Sequence, residues 1–155
     1  MPSALLALSG VANAAEPLPG LLTSGQPAPA HFEALWAQGV RTVIDLRDPM
    51  EPRPFDEPAL VCGLGMTYVN VSVRQGELDD AVMESALDAI RRSDDRPLLL
   101  HCASANRVGG VLIPYFMIDK GMSEAEAVDA AMKVGLRGAD LLEWALDYTQ
   151  RKTGG

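Results

Sequence analysis

The segment that most constrains the fold of this chain runs from residue 98 to residue 110. Three leucines lead into His101 and Cys102, and a loop of small residues then leads into Arg107. Three leucines in a row are typical of a buried strand, and the residues from Val108 onward are typical of a helix. The first backbone N–H groups of a helix have no partner within it and point towards whatever lies at its start. The sequence therefore predicts a strand, a tight loop and a helix that together bind an anion.

Cys102 and Arg107 are the candidate catalytic residues of this loop. Cysteines that lie at a helix N-terminus and beside a guanidinium ionise more readily than free cysteine, so we expect Cys102 to be a thiolate nucleophile at neutral pH. The planar guanidinium of Arg107 can bind two oxygens of a phosphate, sulfate or thiosulfate group. This pairing predicts group transfer through a covalent cysteine adduct.

The rest of the loop is expected to bind the substrate through its backbone. None of its positions is a proline, so each keeps an N–H group. The substrate-binding candidates are therefore Ala103, Ser104, Ala105, Asn106, Arg107 and Val108. His101, directly before the cysteine, is expected to point away from the substrate and to fix the loop through hydrogen bonds, and it is not assigned as a base.

Length and composition exclude several classes of protein. A chain of 155 residues fits one domain. Its two cysteines, Cys62 and Cys102, could form at most one disulfide, so a disulfide framework is excluded, and Cys62 is predicted to pack in the core. His31 and His101 are far apart, and no paired Cys or His ligand spacing occurs, so neither a metal nor another cofactor is expected.

The charge balance indicates the kind of partner. The chain has 21 acidic and 13 basic residues, a net charge of −8, and no run of Lys or Arg. Nucleic acid is therefore not an expected partner. A negative protein can still bind an anion if backbone N–H groups and one arginine concentrate positive potential locally. The expected partner is a phosphate ester or another oxyanion.

The first 19 residues carry no Lys or Arg and are read separately from residues 20–155, which are predicted to form a single domain. The apolar run Ala4–Leu8 is followed by Ala12–Ala14, which resembles a signal-peptidase site. Residues 1–19 are therefore predicted to be a signal sequence or a disordered terminus. A periplasmic or exported location is expected, with a cytoplasmic one as the alternative, because no basic residue precedes the apolar run. No other segment is long enough to span a membrane.

The pattern along the chain predicts an α/β fold. Short apolar strands alternate with helical segments, which implies a mostly parallel central sheet flanked by helices. Ligands of such sheets bind at the carboxyl ends of the strands, where Cys102 would lie. The proline-rich segment 48–58 is predicted to be a surface loop at the same edge. The predicted strands cover 21–24, 42–46, 67–71 and 97–100, and the predicted helices begin near residues 29, 79, 108, 123 and 136.

Three segments of the chain resemble the cysteine-dependent tyrosine and dual-specificity phosphatases, in particular the small bacterial phosphatase-like domain found in beta-lactamase-hydrolase-like proteins. They are Ser24–Pro27, Gly39–Arg47 and His101–Gly109, and the resemblance spans most of residues 20–150. It implies a phosphotyrosine-phosphatase-like fold. It also implies that Cys102 forms a phosphocysteine and that Arg107 binds the phosphoryl oxygens.

The loop departs from the pattern of that family at three points. Four residues separate Cys102 from Arg107, where the main group of phosphatases has five, and the shorter spacing is similar to that of rhodanese-type sulfurtransferases. Ala105 stands where these loops usually carry glycine, and its β-carbon is disfavoured if the loop requires a positive φ there. Val108 replaces a hydroxyl residue that often follows the arginine.

The general acid of a phosphatase is not at its expected place. After Val71 the chain reads Ser72–Gly76, where the resemblance implies an aspartate. The candidates to replace it are Glu77, Asp79 and Asp80, with Asp48 and Glu51 as further candidates on the proline-rich loop. Asp79 and Asp80 also suit the start of a helix, where a carboxylate caps the first turn.

Three functions stay open at this point. The first is a phosphatase that hydrolyses phosphate monoesters through a phosphocysteine. The second is a rhodanese-like sulfurtransferase in which Cys102 carries a persulfide, because transfer of sulfane sulfur needs no proton for an alkoxide leaving group. The third is a catalytically weak module that only binds an oxyanion, which Ala105 and the missing acid would permit.

Overall fold

The computed structural model describes residues 4–93 and 96–154, which contain a five-stranded sheet in the order β1-β2-β5-β3-β4. The strands β1 and β2 are antiparallel, and the other neighbouring pairs are parallel. The predicted α/β class with a mostly parallel sheet is confirmed. The strands are β1 (Ala15–Leu18), β2 (Leu21–Ser24), β3 (Thr42–Asp45), β4 (Thr67–Asn70) and β5 (Leu98–His101).

Six α-helices accompany the sheet in the described residues. Pro114 lies near the end of α4, and directly after it the helix continues as a π-helical turn over Tyr115–Asp119. A proline inside a helix removes one backbone hydrogen bond, which is consistent with the change of helix type at this point. The helices are α1 (Pro29–Ala37), α2 (Glu57–Gly63), α3 (Asp80–Arg92), α4 (Asn106–Pro114), α5 (Glu124–Val134) and α6 (Ala139–Thr153).

The two faces of the sheet bury separate cores, and the central strand β5 contributes to both. Successive side chains of a strand point to opposite faces. Leu98 and Leu100 accordingly pack in the larger core with residues of α3, α4, α5 and α6. Leu99 packs in the smaller core with residues of α1 and α2. The result is a three-layer arrangement in which β5 and the loop that follows it are held from both sides.

The N-terminal segment packs against the smaller core. Ala4–Leu8 form a short 3-10 helix, and the side chain of Leu8 is fully buried there. The backbone N–H of Gly25 donates to the carbonyl of Ala12 at 2.8 Å. Residues 1–3 lie outside the described residues, and removal of this segment as a signal sequence stays a prediction.

One strand, one helix and one residue predicted to be buried differ from the sequence-based expectations. The strand is β1, which is not among the four strands predicted above. Residues 57 and 58, assigned above to the proline-rich loop, begin α2, because Asp56 caps it by accepting a hydrogen bond from the N–H of Ala59 at 3.2 Å. Cys62 is exposed on α2, so its prediction as a core residue is wrong. The neighbouring Val61 is buried instead, as is Glu57 at the start of the helix.

Residues 4–93 and 96–154 contain no helix that is both long and apolar enough to cross a bilayer.

Candidate active site

Cys102 follows β5 directly, at the carboxyl edge of the parallel strands. The strands β2 and β3 hold the chain on either side of it. The N–H of Gln26 donates to the carbonyl of Ala103 at 3.1 Å, and the N–H of Leu46 donates to the carbonyl of His101 at 2.9 Å. The start of the loop is therefore part of the hydrogen-bonded sheet, as the strand pattern predicts.

The loop turns back on the sulfur of Cys102. The backbone N–H of Ala105 donates to Sγ of Cys102 at 3.1 Å, and both residues are fully buried. Ala105 is the N-cap of α4 and adopts φ +74° and ψ +4°, the left-handed conformation. The loop thus requires a positive φ at the position where the resembling family usually carries glycine. This conformation costs a residue with a β-carbon about 1–2 kcal/mol.

The carbonyl and amide groups on the outside of the loop are bound by other segments. The Asn13 side-chain amide donates to the carbonyl of Ser104 at 2.8 Å. The Oδ1 of Asn106 accepts hydrogen bonds from the N–H groups of Arg137, at 2.7 Å, and Gly138, at 3.0 Å. Of these contacts, sequence reasoning missed Asn13 entirely, because its partner lies 91 residues away.

Arg107 faces a carboxylate rather than open solvent. Its two terminal nitrogens bind both oxygens of Glu51, with Nη2 donating to Oε1 at 2.9 Å. Nη1 also donates to the carbonyl of Val73 at 3.3 Å. The hydrogen bond from Arg107 holds the pKa of Glu51 below its usual value, and it outweighs the opposing effect of burial. Burial lowers the pKa of Arg107, but Glu51 and the nearby Cys102 more than offset this, so the net shift is upward.

An open cleft of about 410 Å³ lies beside this ion pair. Cys102 is buried and does not line it. One wall comes from the proline-rich loop, which the sequence places at this edge, and another from the segment after β4. The lining residues are Asp48, Glu51, Arg74, Gln75, Ser104, Asn106 and Arg107.

The three carboxylates proposed first as general acids have other partners. Asp79 caps α3 by accepting from the N–H of Val82 at 2.9 Å. Asp80 pairs with Arg151, and Glu77 is exposed and pairs with Arg74 at 3.2 Å. None of the three lines the cleft beside Arg107. Their catalytic role stays a prediction from the sequence alone.

His101 is fully buried and does not line the cleft. Its Nε2 lies 2.6 Å from Oε2 of Glu57, and its Nδ1 lies 3.2 Å from the carbonyl oxygen of Cys102. Both partners are acceptors, which a ring carrying two N–H groups would satisfy. His101 therefore links the backbone of Cys102 to α2.

Glu57 belongs to a buried network of charges behind the loop. Arg47 binds Asp45, with Nη2 at 2.7 Å from Oδ2, and Glu57, with Nη2 at 3.2 Å from Oε1. Burial raises the pKa of Asp45, but the hydrogen bond from Arg47 outweighs it, and the net shift is downward. Burial and the bond to Asp45 raise the pKa of Tyr68 to about 12.

This network also contains a group with the donor types of a metal site. Ligand atoms of Asp45, Glu57 and His101 lie within 4.8 Å of one another, and all three residues are buried. Arg47 already pairs with both carboxylates, and Arg53 lies 3.8 Å from Asp45, so two guanidinium groups face the two carboxylates within the protein. The arrangement is that of a structural ion-pair network.

No protein-family model matches the sequence, and no curated protein matches it. A candidate phosphatase (DUF442) from Shewanella putrefaciens CN-32 has a similar structure, with a TM-score of 0.80 and 23% identity over 96% of this chain and 97% of that one. SIW14 of S. cerevisiae, a PP-IP phosphatase solved with citrate, gives a TM-score of 0.77 with 15% identity over 92% of this chain and 89% of that one.

TpbA of P. aeruginosa, solved also in complex with pTyr, gives a TM-score of 0.70 with 21% identity over 90% of this chain and 84% of that one. At these identities the likeness shows the fold. The chain has the α/β fold of the cysteine-dependent, protein-tyrosine-phosphatase-like phosphatases, as the resemblance of its motifs predicts.

Proposed function

We propose that this chain is a cysteine-dependent phosphatase that hydrolyses phosphate monoesters through a phosphocysteine at Cys102. The observation that carries the proposal is the loop geometry: the Ala105 N–H donates to the Cys102 sulfur at 3.1 Å, and Arg107 lies next to them at the start of α4. Donors that already point at the sulfur suit a thiolate and the oxyanion that it attacks. The likeness to TpbA, solved with pTyr, and to a PP-IP phosphatase supports a phosphoryl substrate.

The reaction has two steps. Phosphoryl oxygens bind to Arg107 and to loop N–H groups, and the sulfur of Cys102 attacks phosphorus. The S–P bond forms as the bond from phosphorus to the leaving oxygen breaks, and that oxygen takes up a proton. Water then attacks phosphorus, the S–P bond breaks, and inorganic phosphate leaves with the thiolate restored.

The spacing of the loop favours a second candidate. Four residues separate Cys102 from Arg107, as in rhodanese-type loops. A loop of this length would also suit transfer of sulfur from thiosulfate. In that reaction the thiolate takes the outer sulfur atom as a persulfide, sulfite leaves, and cyanide then takes the sulfur as thiocyanate. No proton donor is needed in either step.

A paired assay separates these reactions. Purified wild type, Cys102→Ser and Arg107→Lys are tested with p-nitrophenyl phosphate, and separately with thiosulfate and cyanide. Phosphate release that is lost in Cys102→Ser and strongly reduced in Arg107→Lys supports the proposal, because lysine cannot bind two oxygens in one plane.

Thiocyanate production without phosphate release would overturn the proposal in favour of the sulfurtransferase. If neither product forms but inorganic phosphate still raises the melting temperature of the wild type, the chain is an oxyanion-binding module. Arg107→Lys should then weaken the protection by phosphate, which identifies the loop as the binding site.

A further inference from the structure

The phosphatase proposed above needs a group that gives a proton to the leaving oxygen, and the cleft offers two carboxylates for this. They are Asp48 and Glu51, the only acidic residues among those that line it. The role inferred below rests on that proposed function. The contacts of the two carboxylates decide which of them becomes available when a phosphoryl group binds.

Both carboxylate oxygens of Asp48 already have partners within the protein. Its Oδ1 accepts from the N–H of Met50 at 3.0 Å, and its Oδ2 pairs with Arg74 across the cleft. Neither partner is a group that the phosphoryl oxygens must take. Asp48 therefore keeps its partners when substrate binds, and a carboxylate held by an arginine is a poor proton donor.

Glu51 differs because its main partner is the substrate-binding arginine itself. Both oxygens of Glu51 are bound by Arg107, in the two-pronged arrangement that a phosphoryl group would use. A phosphoryl group can take these two donors only if Glu51 gives them up. Since Cys102 is buried and does not line the open cleft, the substrate must also enter further than the present open space allows.

Displacement changes the electrostatic surroundings of Glu51. The charged groups that face it are Arg107, Arg47 and, through its backbone, Asp48. In the free protein the bond from Arg107 holds the pKa of Glu51 down. Once Arg107 is bound to phosphate, Glu51 loses that bond and gains a doubly charged neighbour, and a like charge disfavours the ionised form. Its side chain is 29% exposed, so solvent can supply the proton.

We propose that Glu51 is the general acid of the reaction and that the substrate uncovers it by displacing it from Arg107. As the S–P bond forms and the ester P–O bond breaks, the proton of Glu51 goes to the leaving oxygen. In the second step the Glu51 carboxylate takes a proton from the attacking water as the S–P bond breaks. The sum is ester plus water giving alcohol plus phosphate, with Glu51 returned to its starting state.

The test compares two aryl phosphates of similar size with different leaving groups. Phenyl phosphate has a basic leaving oxygen that needs a proton, and p-nitrophenyl phosphate has one that leaves readily without it. In Glu51→Gln we expect kcat/KM for phenyl phosphate to fall about a hundredfold or more, and that for p-nitrophenyl phosphate to fall less than about tenfold. The fall of kcat at high pH, where the general acid of the enzyme–substrate complex loses its proton, should be absent in the variant.

Matched variants separate this role from positioning. In Asp48→Asn and Glu77→Gln the ratio of the two kcat/KM values should stay at that of the wild type, and a leaving-group-dependent loss in either would overturn the assignment. If kcat/KM of Glu51→Gln falls equally for both substrates, Glu51 only positions Arg107 and the assignment is overturned. If kcat/KM rises equally for both, Glu51 only blocks the site, which also overturns it. A wild type that turns over neither substrate would overturn the phosphatase itself, an outcome distinct from those that concern Glu51 alone.

Discussion

The methyl group of Ala105 fits into the loop because Gly135 has no side chain. An ideal β-carbon placed on Gly135 would lie 2.9 Å from the β-carbon of Ala105, closer than such atoms approach in proteins. Ala105 adopts φ +74° and Gly135 adopts φ +143°, so both backbones lie in regions that residues with a β-carbon seldom occupy. The base of the candidate catalytic loop and the residue that ends α5 are thus fitted to each other.

Replacing Ala105 by glycine should stabilise the protein. Glycine adopts a positive φ without the cost that a β-carbon brings, about 1–2 kcal/mol, and loses part of this gain through the greater freedom of its unfolded chain, about 0.5–1 kcal/mol. We expect the free energy of unfolding in urea to rise by about 0.5–1 kcal/mol. Ala103→Gly is the control, because Ala103 has no positive φ, and it should not stabilise. A lower unfolding free energy for Ala105→Gly would contradict the loop conformation.

Replacing Gly135 by alanine should destabilise the protein, by about 1–3 kcal/mol, because the new β-carbon meets Ala105 and the φ of +143° is strained. The same change in an Ala105→Gly background should cost less, since one of the two colliding atoms is then absent. A double-mutant cycle in urea measures this coupling. If the two effects simply add, the two residues are not in contact.

The Asn13 side chain is predicted to support the candidate catalytic loop from outside. Asn13→Gly is the informative variant, because Asn13 has φ +54°, which glycine adopts freely, so only the hydrogen bond to the carbonyl of Ser104 is removed. We expect the loss of this hydrogen bond to weaken phosphate binding by about 0.5–1.5 kcal/mol. The inhibition constant of inorganic phosphate should then rise by about two- to tenfold. Ser9→Ala, whose hydroxyl bonds only Leu6, should leave the constant unchanged.

The same contact bears on the predicted signal sequence. Cleavage after Ala14 would remove Asn13 together with the packed segment that contains Leu8. N-terminal sequencing of protein purified from the cell decides whether this happens. A mature protein that begins at Ala15 and binds phosphate as tightly as the full chain would show that Asn13 is dispensable.

The buried pair of Asp45 and Arg47 should be a main source of stability at neutral pH. Asp45→Asn leaves the guanidinium of Arg47 with a single carboxylate partner, Glu57, and we expect a loss of about 3 kcal/mol or more at neutral pH. Urea unfolding measures it. Asp80→Asn is the control, because Asp80 pairs with Arg151 on the surface and should cost about 1 kcal/mol or less.

The pH dependence of this effect has a definite sign. Burial raises the pKa of Asp45, but the hydrogen bond from Arg47 outweighs it, so the pKa lies below its ordinary value of 3.8 in the folded state. The contribution of Asp45 is therefore present above pH 3.8 and is lost as the pH falls through the lower, folded value. Asp45→Asn should lose less stability than the wild type over that acidic range. An equal loss in both proteins would contradict the shift.

The fold and the centre of the site were predictable because their signals are local. The strand before His101, the helix after the loop of small residues and the helix start near residue 123 depend on neighbours in sequence, and the structure confirms all three. The departure of Ala105 from the glycine of the family pattern was also visible in the sequence, because the positive φ is a requirement of that loop position. Each of these signals acts over a few residues, where the backbone geometry leaves few alternatives.

What the sequence could not show depends on packing between distant segments. Arg107 and Glu51 are 56 residues apart, and Asn13 and Ser104 are 91 apart, so no periodicity connects them. Cys62 was misplaced for a related reason: a residue type that is usually buried lies on the exposed face of a helix that the proline-rich composition concealed. Such contacts follow from the arrangement of the layers, which a pattern along the chain does not specify.

The central claim is that Cys102 carries the phosphoryl group, and trapping that intermediate tests it most directly. Wild type is mixed with p-nitrophenyl phosphate, quenched in denaturant within the first turnover, and its mass and peptides are measured. We predict one phosphoryl group per chain, located on Cys102, formed more slowly in Arg107→Lys and absent in Cys102→Ala. Turnover of the ester with no phosphate on Cys102, or turnover that persists in Cys102→Ala, would contradict the account.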